Sequence, residues 1–334
     1  MHYLGRTGIK VSELCFGALT FGGRGRYKRI GDVGQKLADT LAGMAIDHGI
    51  NFFDTADYYS QGLSEEILGK ALGTRRNDVI LATKVFGRMG PGENNIGLSR
   101  RHILEGCEAS LRRLGTDYID LYQVHCFDPY TALEESLRAL DDLVRWGKAR
   151  YIGCSNFAAW QLMKALSISE RHGWERFTSI QALYSLISRD VENEIVPLCL
   201  DQGLALTAWS PLGGGYLSGK YRRGQPRPEG HRLSDPKAGF IPFSDERGFE
   251  IIDELDRISI AHNASIAQAA LNYLLQKPGI TSVIIGARDI EQLNDNLKST
   301  EWEMTPAELA RLDDLSKPAP SYPTWYFAQN QFDR

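Results

Sequence analysis

The chain has 334 residues, 43% of them hydrophobic and 24% charged, a balance that belongs to folded proteins and supplies enough apolar side chain for a sizeable core. A formal net charge of −4 and an isoelectric point near 6.0 exclude the broad basic footprint that nucleic acid or an acidic membrane surface requires, so the expected partner is a small molecule. Length alone leaves one or two domains open, because α/β barrels run beyond about 250 residues as single units.

In chain order, YLGRTGIKVSELCFG sets Gly-containing turn residues between two short extended pieces, as a hairpin closing a barrel floor needs. Eight β-branched or apolar runs follow: ELCFGALT, INFFDT, DVILATKV, YIDLYQVH, ARYIGCS, FTSIQAL, LALTAWS and TSVIIGA. Helix-like stretches separate them, an alternation that signals βαβ units and suits a closed parallel barrel, with an open doubly wound sheet as the other solution. Helix start signals agree: Ser265 with Gln268, Asp289 with Gln292, and Thr305 with Pro306 and Glu308. Three long irregular segments follow strands: GGRGRYKRIGDVGQ, RMGPGENNIG, and the stretch from Pro211 to about Ser244. In a barrel these lie on the face where active sites form. The five cysteines, 15, 107, 126, 154 and 199, lack CxxC spacing. They read as reduced thiols, and with no signal-peptide core and no apolar run of about 18 residues the expected location is the cytoplasm, not a membrane.

Polar side chains at the ends of buried parallel strands need a reason, since such strands are otherwise apolar. Asp54 ends NFFD, Tyr59 follows in the next loop, Lys84 sits in ILATK, and His125 closes DLYQVH. Singly, each has an ordinary reading as a cap, a core-edge ring or a packed imidazole. Together, on strands two to four of a barrel, they make one chemical device. A phenol has a pKa of about 10, and a neighbouring ammonium stabilises its anion, so Lys84 is expected to lower the Tyr59 value. Asp54 is the anionic partner for Lys84, and His125 is expected to orient a substrate carbonyl or assist proton transfer.

From LGRTGIKVSELCFG to EQLNDNLKS the sequence resembles the aldo-keto reductase superfamily. FFDTADYYSQGLSEEILGKAL is similar to that family's Asp-to-Tyr segment, where the catalytic tyrosine lies five residues after the aspartate, which selects Tyr59 over Tyr58. LATKV, LYQVHCFDP, GKARYIGCSNF and AWSPLGGGYLSGKY match further motifs in the same order. The likeness is nearest to the bacterial and plant-type branch and to the channel β-subunit-like branch.

The resemblance implies one (β/α)8 TIM barrel over 1–334, with an N-terminal β-hairpin floor, long loops on the C-terminal face and extra C-terminal helices. It implies NADPH or NADP+ bound in extended form, direct hydride transfer to a carbonyl, and no metal. Asp54, Tyr59, Lys84 and His125 become the catalytic tetrad. By the same likeness Ser155, Asn156 and Gln181 hold the nicotinamide carboxamide, and Trp209 stacks on the ring. Ser210, Leu212, Gly214 and Lys220 cross the pyrophosphate. Gly286, Arg288, Gln292 and Asn296 stand in the adenosine 2′-phosphate site. There Gly286 replaces a common lysine and Gln292 a common arginine, which leaves NADH open as a cofactor. The tail 317–334, with Trp325, Tyr326 and Phe327, is expected near the substrate mouth, and Phe21, Phe86 and Cys126 are further substrate-contact candidates.

Other chemistries fit the residues less well. Gly214 and Gly219-Lys220 have phosphate-loop spacing, but Tyr221 stands where that motif needs a small hydroxyl. No GxGxxG follows a candidate strand, which counts against a Rossmann dehydrogenase. Lys84 on a barrel strand also admits Schiff-base chemistry. The reading the sequence favours is an oxidoreductase of aldehydes, ketones or alcohols. The alternative from another class is a cofactor-binding regulatory subunit, because some barrels of this family bind membrane channels. The intact tetrad favours catalysis, and nothing in the sequence bears on oligomeric state.

Overall fold

A computed structural model describes residues 1–229, 233, 244–319 and 321–329. Strands β1 (His2–Tyr3) and β2 (Lys10–Val11) pair antiparallel and form the expected hairpin. Eight strands then close a barrel: β3 (Leu14–Gly17), β4 (Phe52–Asp54), β5 (Ile80–Val85), β6 (Ile119–Val124), β7 (Ala149–Ser155), β8 (Phe177–Leu183), β9 (Ala205–Trp209) and β10 (Ile280–Ile285). Each neighbouring pair is parallel, and β10 pairs with β3 to complete the ring. The barrel reading, rather than the open sheet, is the right one, and each of the eight apolar runs became a strand.

Helices α1 (Gln35–Asp47), α2 (Leu63–Leu72), α3 (Arg100–Leu114), α4 (Leu133–Arg145), α5 (Ala159–His172) and α6 (Ile195–Gln202) each join one barrel strand to the next. Between β9 and β10 the described residues include α7 (Asp245–Ala261) and α8 (Ile266–Leu275). α9 (Ile290–Leu297), α10 (Pro306–Ser316) and the short α11 (Thr324–Gln329) follow the last strand. The start signals act as read: Ser265 accepts from the Gln268 amide, Asp289 from that of Gln292, and Thr305 with Glu308 closes a capping box behind Pro306. α4 buries Leu133, Leu137, Leu140 and Leu143, the spacing of one helical face laid on the barrel. Among the described residues no helix is long and apolar enough to cross a membrane.

Alternation along the strands divides the barrel interior into two levels. Phe52, Ala82 and Leu121 pack with Leu4 and Val11 of the hairpin into an apolar plug at the floor. Two residues further along the same strands, Asp54, Lys84 and Gln123 form a buried polar level above it. The larger apolar core fills the space between the strands and the surrounding helices. Of the three long segments, the third is partly outside the described residues, at 230–232 and 234–243, and so is the end of the 317–334 tail.

Candidate active site

The polar level is a connected network. Lys84 is fully buried, and its Nζ donates to Asp54 Oδ1 at 2.5 Å and to the Thr55 carbonyl at 2.8 Å. The other carboxylate oxygen, Asp54 Oδ2, accepts from Gln181 Nε2 at 2.9 Å and from Gln123 Nε2 at 3.2 Å. An ion pair removed from water survives when its remaining lone pairs are also satisfied, and these two amides supply that.

Tyr59 lies above this pair, with Lys84 Nζ 5.2 Å from its ring centre and the His125 ring 5.6 Å away. Several bonds fix its loop. The Thr55 amide donates to Ala82 O, and the Asp57 amide to Lys84 O, both at 3.0 Å. Ser60 Oγ donates to Phe21 O at 2.9 Å, and Ser64 Oγ to Ala18 O at 2.7 Å. Ser60 and Gln61 adopt left-handed φ values of 49° and 58°, a conformation unfavourable for side-chain-bearing residues and held here by those bonds.

One expectation about Tyr59 is corrected. Lys84 was to lower its pKa, whereas burial, then Asp54, Tyr58, Tyr27 and Asp57, push the phenol well above its ordinary value. The ammonium that was to stabilise phenolate is directed at Asp54 and the Thr55 carbonyl. In this state Tyr59 keeps its proton through neutral pH.

His125 is anchored by its amide on Val85 O, and its Nε2 meets the Tyr58 hydroxyl at 3.3 Å. The Tyr58 ring lies so close to Gly87 that a Cβ there would come within 2.3 Å of it. Tyr27, from the long segment after β3, packs on both Tyr58 and Tyr59, with centroids 6.2 and 5.8 Å apart. Behind the loop, buried Glu65 accepts from Thr83 Oγ1 and from Arg113 Nε, both at 2.6 Å. Gln123, Glu65, Tyr27 and the Tyr58–His125 contact were not found in the sequence. The one signal for Gln123 was an amide two residues before His125 inside a wholly buried strand.

The residues assigned to the nicotinamide end do come together. Asn156, at a left-handed φ of 54°, donates through Nδ2 to His125 O at 2.9 Å and to Ser155 Oγ at 3.0 Å, and accepts from Trp209 Nε1 at 3.2 Å. Gln181 joins them through its backbone carbonyl, which accepts from the Asn156 amide at 3.2 Å, while its side-chain Nε2 donates to Asp54. Ser210 Oγ accepts from the Gly214 amide at 3.0 Å, which shapes the turn that follows Leu212. Lys220 Nζ lies 3.2 Å from where a Cβ on Gly215 would be. This cation beside side-chain-free backbone fits a pyrophosphate, and the amides of Asn156 and Gln181 fit a carboxamide.

The third set stands apart at the start of α9. Asn296 Nδ2 donates to Gly286 O at 3.4 Å, and Gln292 Oε1 accepts from the Arg288 amide at 3.1 Å. The Arg288 guanidinium donates to Ile30 O at 2.9 Å and Arg29 O at 3.4 Å. Its planar fork is therefore turned partly toward the segment after β3. Phe21 is buried, Phe86 and Cys126 are half-buried, and burial pushes the Cys126 thiol up to about 11. Trp325 and Tyr326 are exposed on α11.

A model of the aldo/keto reductase family matches residues 13–317. The chain belongs to that family. Full-length relatives agree with the assignment. The chain is 35% identical to a probable voltage-gated potassium channel subunit beta of Arabidopsis thaliana, covering 97% of this chain and 98% of that one. It is 39% identical to the uncharacterized oxidoreductase YrpG of Bacillus subtilis, over 94% of each. It is 36% identical to versiconal hemiacetal acetate reductase of Aspergillus parasiticus, over 96% and 98%. The aldo/keto reductase barrel thus carries oxidoreductase chemistry in proteins closely comparable in length, with carbonyl reduction as its general type.

Proposed function

We propose that the chain is an NADP(H)-dependent reductase of aldehydes or ketones, working in reverse on alcohols, with Tyr59 as the general acid or base. The observation that carries the reading is the buried Asp54–Lys84 pair set directly beneath the Tyr59 ring, with His125 beside it. A fully buried ion pair in a barrel whose next level is apolar has no packing advantage over hydrophobic side chains. Catalysis gives it a purpose.

NADPH, when bound, supplies the hydride. Ser155, Asn156, Gln181 and Trp209 would hold its nicotinamide end, Ser210, Leu212, Gly214 and Lys220 its pyrophosphate, and Gly286, Arg288, Gln292 and Asn296 its adenosine phosphate. His125 orients the carbonyl oxygen, and Tyr59 delivers the proton to it. Asp54 and Lys84 hold each other as a buried ion pair beneath that phenol, which fixes the charges next to the proton donor. Because Tyr59 is held protonated, the site is set for reduction at neutral pH. The substrate is a small molecule, and the free thiols fit a reducing cytoplasm.

The second reading, a cofactor-binding regulatory subunit, is favoured by the relatives named as channel β subunits. NADPH consumption against a panel of carbonyls, run with the wild type, Tyr59→Phe and Lys84→Met, separates the two. Turnover by the wild type that both variants lose while still binding NADPH supports the enzyme. Wild-type rates for Tyr59→Phe exclude the mechanism, and tight NADPH binding without turnover across the panel favours the subunit.

A further inference from the structure

We propose that Gln123 is a positioning residue of this site: with Gln181 it holds one carboxylate oxygen of Asp54, so that the other faces Lys84 and the charge felt by Tyr59 is shared over two amides. The inference rests on the reading of Tyr59 as the proton donor.

Register brings Gln123 to this place. It is the partner of Lys84 across β5 and β6 and of Gly153 across β6 and β7, and alternation turns it into the barrel above Leu121. A methyl group on Gly153 would come within 3.3 Å of Gln123 Cγ and 2.6 Å of Ser179 Oγ. The neighbouring strand therefore leaves the space that the Gln123 side chain crosses. Gln123 is only 1% exposed, so its amide needs a partner inside the protein, and Asp54 Oδ2 is that partner. Gln181, on the opposite side, donates to the same oxygen. Hydrogen bonds from two neutral donors to one carboxylate oxygen are charge-assisted, and they fix its orientation as well as its charge distribution.

The consequence falls on Tyr59, whose phenol is pushed well above its ordinary value by burial first and by Asp54 second. The other groups around that phenol are Lys84 from β5, His125 after β6, Tyr27 from the segment after β3, and Asp57 and Tyr58 from its own loop. Cys15 of β3 faces Asp54 and Lys84. Alongside Lys84, Gln123 and Gln181 are hydrogen-bonded to Asp54. Without the Gln123 donor the carboxylate charge is less dispersed, and the phenolate form of Tyr59 becomes harder to reach. In the alcohol-oxidation direction, where Tyr59 must accept a proton, the pH at which activity rises should then move upward.

Two variants test this. Gln123→Met keeps the length and volume of the side chain and removes the donor; Gln123→His replaces the donor with an imidazole N–H. The primary readout is the titration of the Tyr59 ring carbon bearing the hydroxyl, followed by NMR in carbon-13-labelled tyrosine protein saturated with NADP+ and assigned by its loss in Tyr59→Phe. Gln123→Met is expected to raise the midpoint by about half a pH unit or more, and Gln123→His to restore most of the shift. The kcat/KM profile for alcohol oxidation should move in the same direction, with the dissociation constant of NADP+ changed less than about threefold. A Tyr59 midpoint in Gln123→Met within about 0.2 unit of wild type overturns the proposal. Should Gln123→Met not fold, the wild type decides: a Gln123 side-chain amide exchanging its hydrogens at the solvent rate overturns it, and slow exchange supports it. If the enzyme reduces no carbonyl, the function reading fails, yet the Tyr59 titration still reports on Gln123 by itself.

Discussion

Tyr59→Phe removes one oxygen and leaves the ring packed against Tyr27, Tyr58 and His125. Loss of a positioned general acid costs about 10²–10⁴-fold in rate. The expected outcome is therefore a collapse of kcat with cofactor affinity retained, read by steady-state kinetics and by quenching of Trp209 fluorescence. The raised phenol fixes the sign of the pH dependence. Reduction needs the protonated phenol, which persists on the alkaline side, so its rate should stay level through neutral pH. Oxidation needs phenolate and should climb with pH. A reduction rate that falls between about pH 6 and 8 would mean that another group limits proton delivery. At Gly87 a methyl would strike the Tyr58 ring. Gly87→Ala should shift Tyr58 away from His125 and raise KM for the carbonyl, and an unchanged KM argues that the Tyr58–His125 contact has no part in substrate orientation.

The loop that carries Tyr59 is held by the elements behind it. Glu65 on α2 links Thr83 of β5 to Arg113 of α3 and is wholly buried. Removing one partner of a buried pair leaves the other charge uncompensated, at a cost of about 3–5 kcal/mol. Denaturant unfolding of Glu65→Ala should show a loss of that size, and a change under about 1 kcal/mol would mean that Arg113 finds a new partner. The approach of α2 to α3 depends on Gly69, where a Cβ would sit 2.2 Å from the Leu114 carbonyl oxygen. Because the obstacle is backbone, it has little room to yield, and Gly69→Ala should destabilise by about 1–3 kcal/mol. The melting temperature of that variant is the check.

At the scale of the whole molecule, α10 is fastened to the barrel by charge. Arg189, before α6, reaches Glu192, the Asp313 carboxylate and Ser316, while Lys277 and Tyr273 also meet Asp313. Burial opposes ionisation of Glu192 and Asp313. The Arg189 and Tyr184 bonds nevertheless hold Glu192 below the usual carboxylate range, and Lys277 and Tyr273 do so for Asp313. A folded-state pKa lowered in this way contributes stability that is present above the unfolded value of about 4 and is lost as pH falls through the folded one. The melting temperature should therefore decline below about pH 5, less steeply in Glu192→Gln. A decline of equal slope in that variant would place the acid lability in other carboxylates. No disulfide joins the five thiols, so reducing agent should leave the melting temperature unchanged.

The eight strands, the floor hairpin and the starts of α8, α9 and α10 were legible because their causes act over a few residues: apolar runs, turn glycines, and Ser, Asp or Thr placed to cap a helix. Asp54, Lys84 and His125 at or beside strand ends were legible for the same reason, since a polar side chain that interrupts an apolar run stands out locally, and Tyr59 followed from its spacing to Asp54 in the family likeness. The state of those residues was not. Lys84 as a nearby ammonium suggested an acidic phenol, but burial of the site and the direction of Lys84 toward Asp54 reverse the sign. Gln123 meets Asp54 across 69 residues and Gln181 across 127. No local pattern records such pairings, because they arise when closing the barrel turns separate strands inward onto one carboxylate. Sequence by itself determined which side chains reach the mouth of the barrel. Tertiary structure decided which atoms they meet there, because dehydration and long-range hydrogen bonding exist only once the ring of strands is shut.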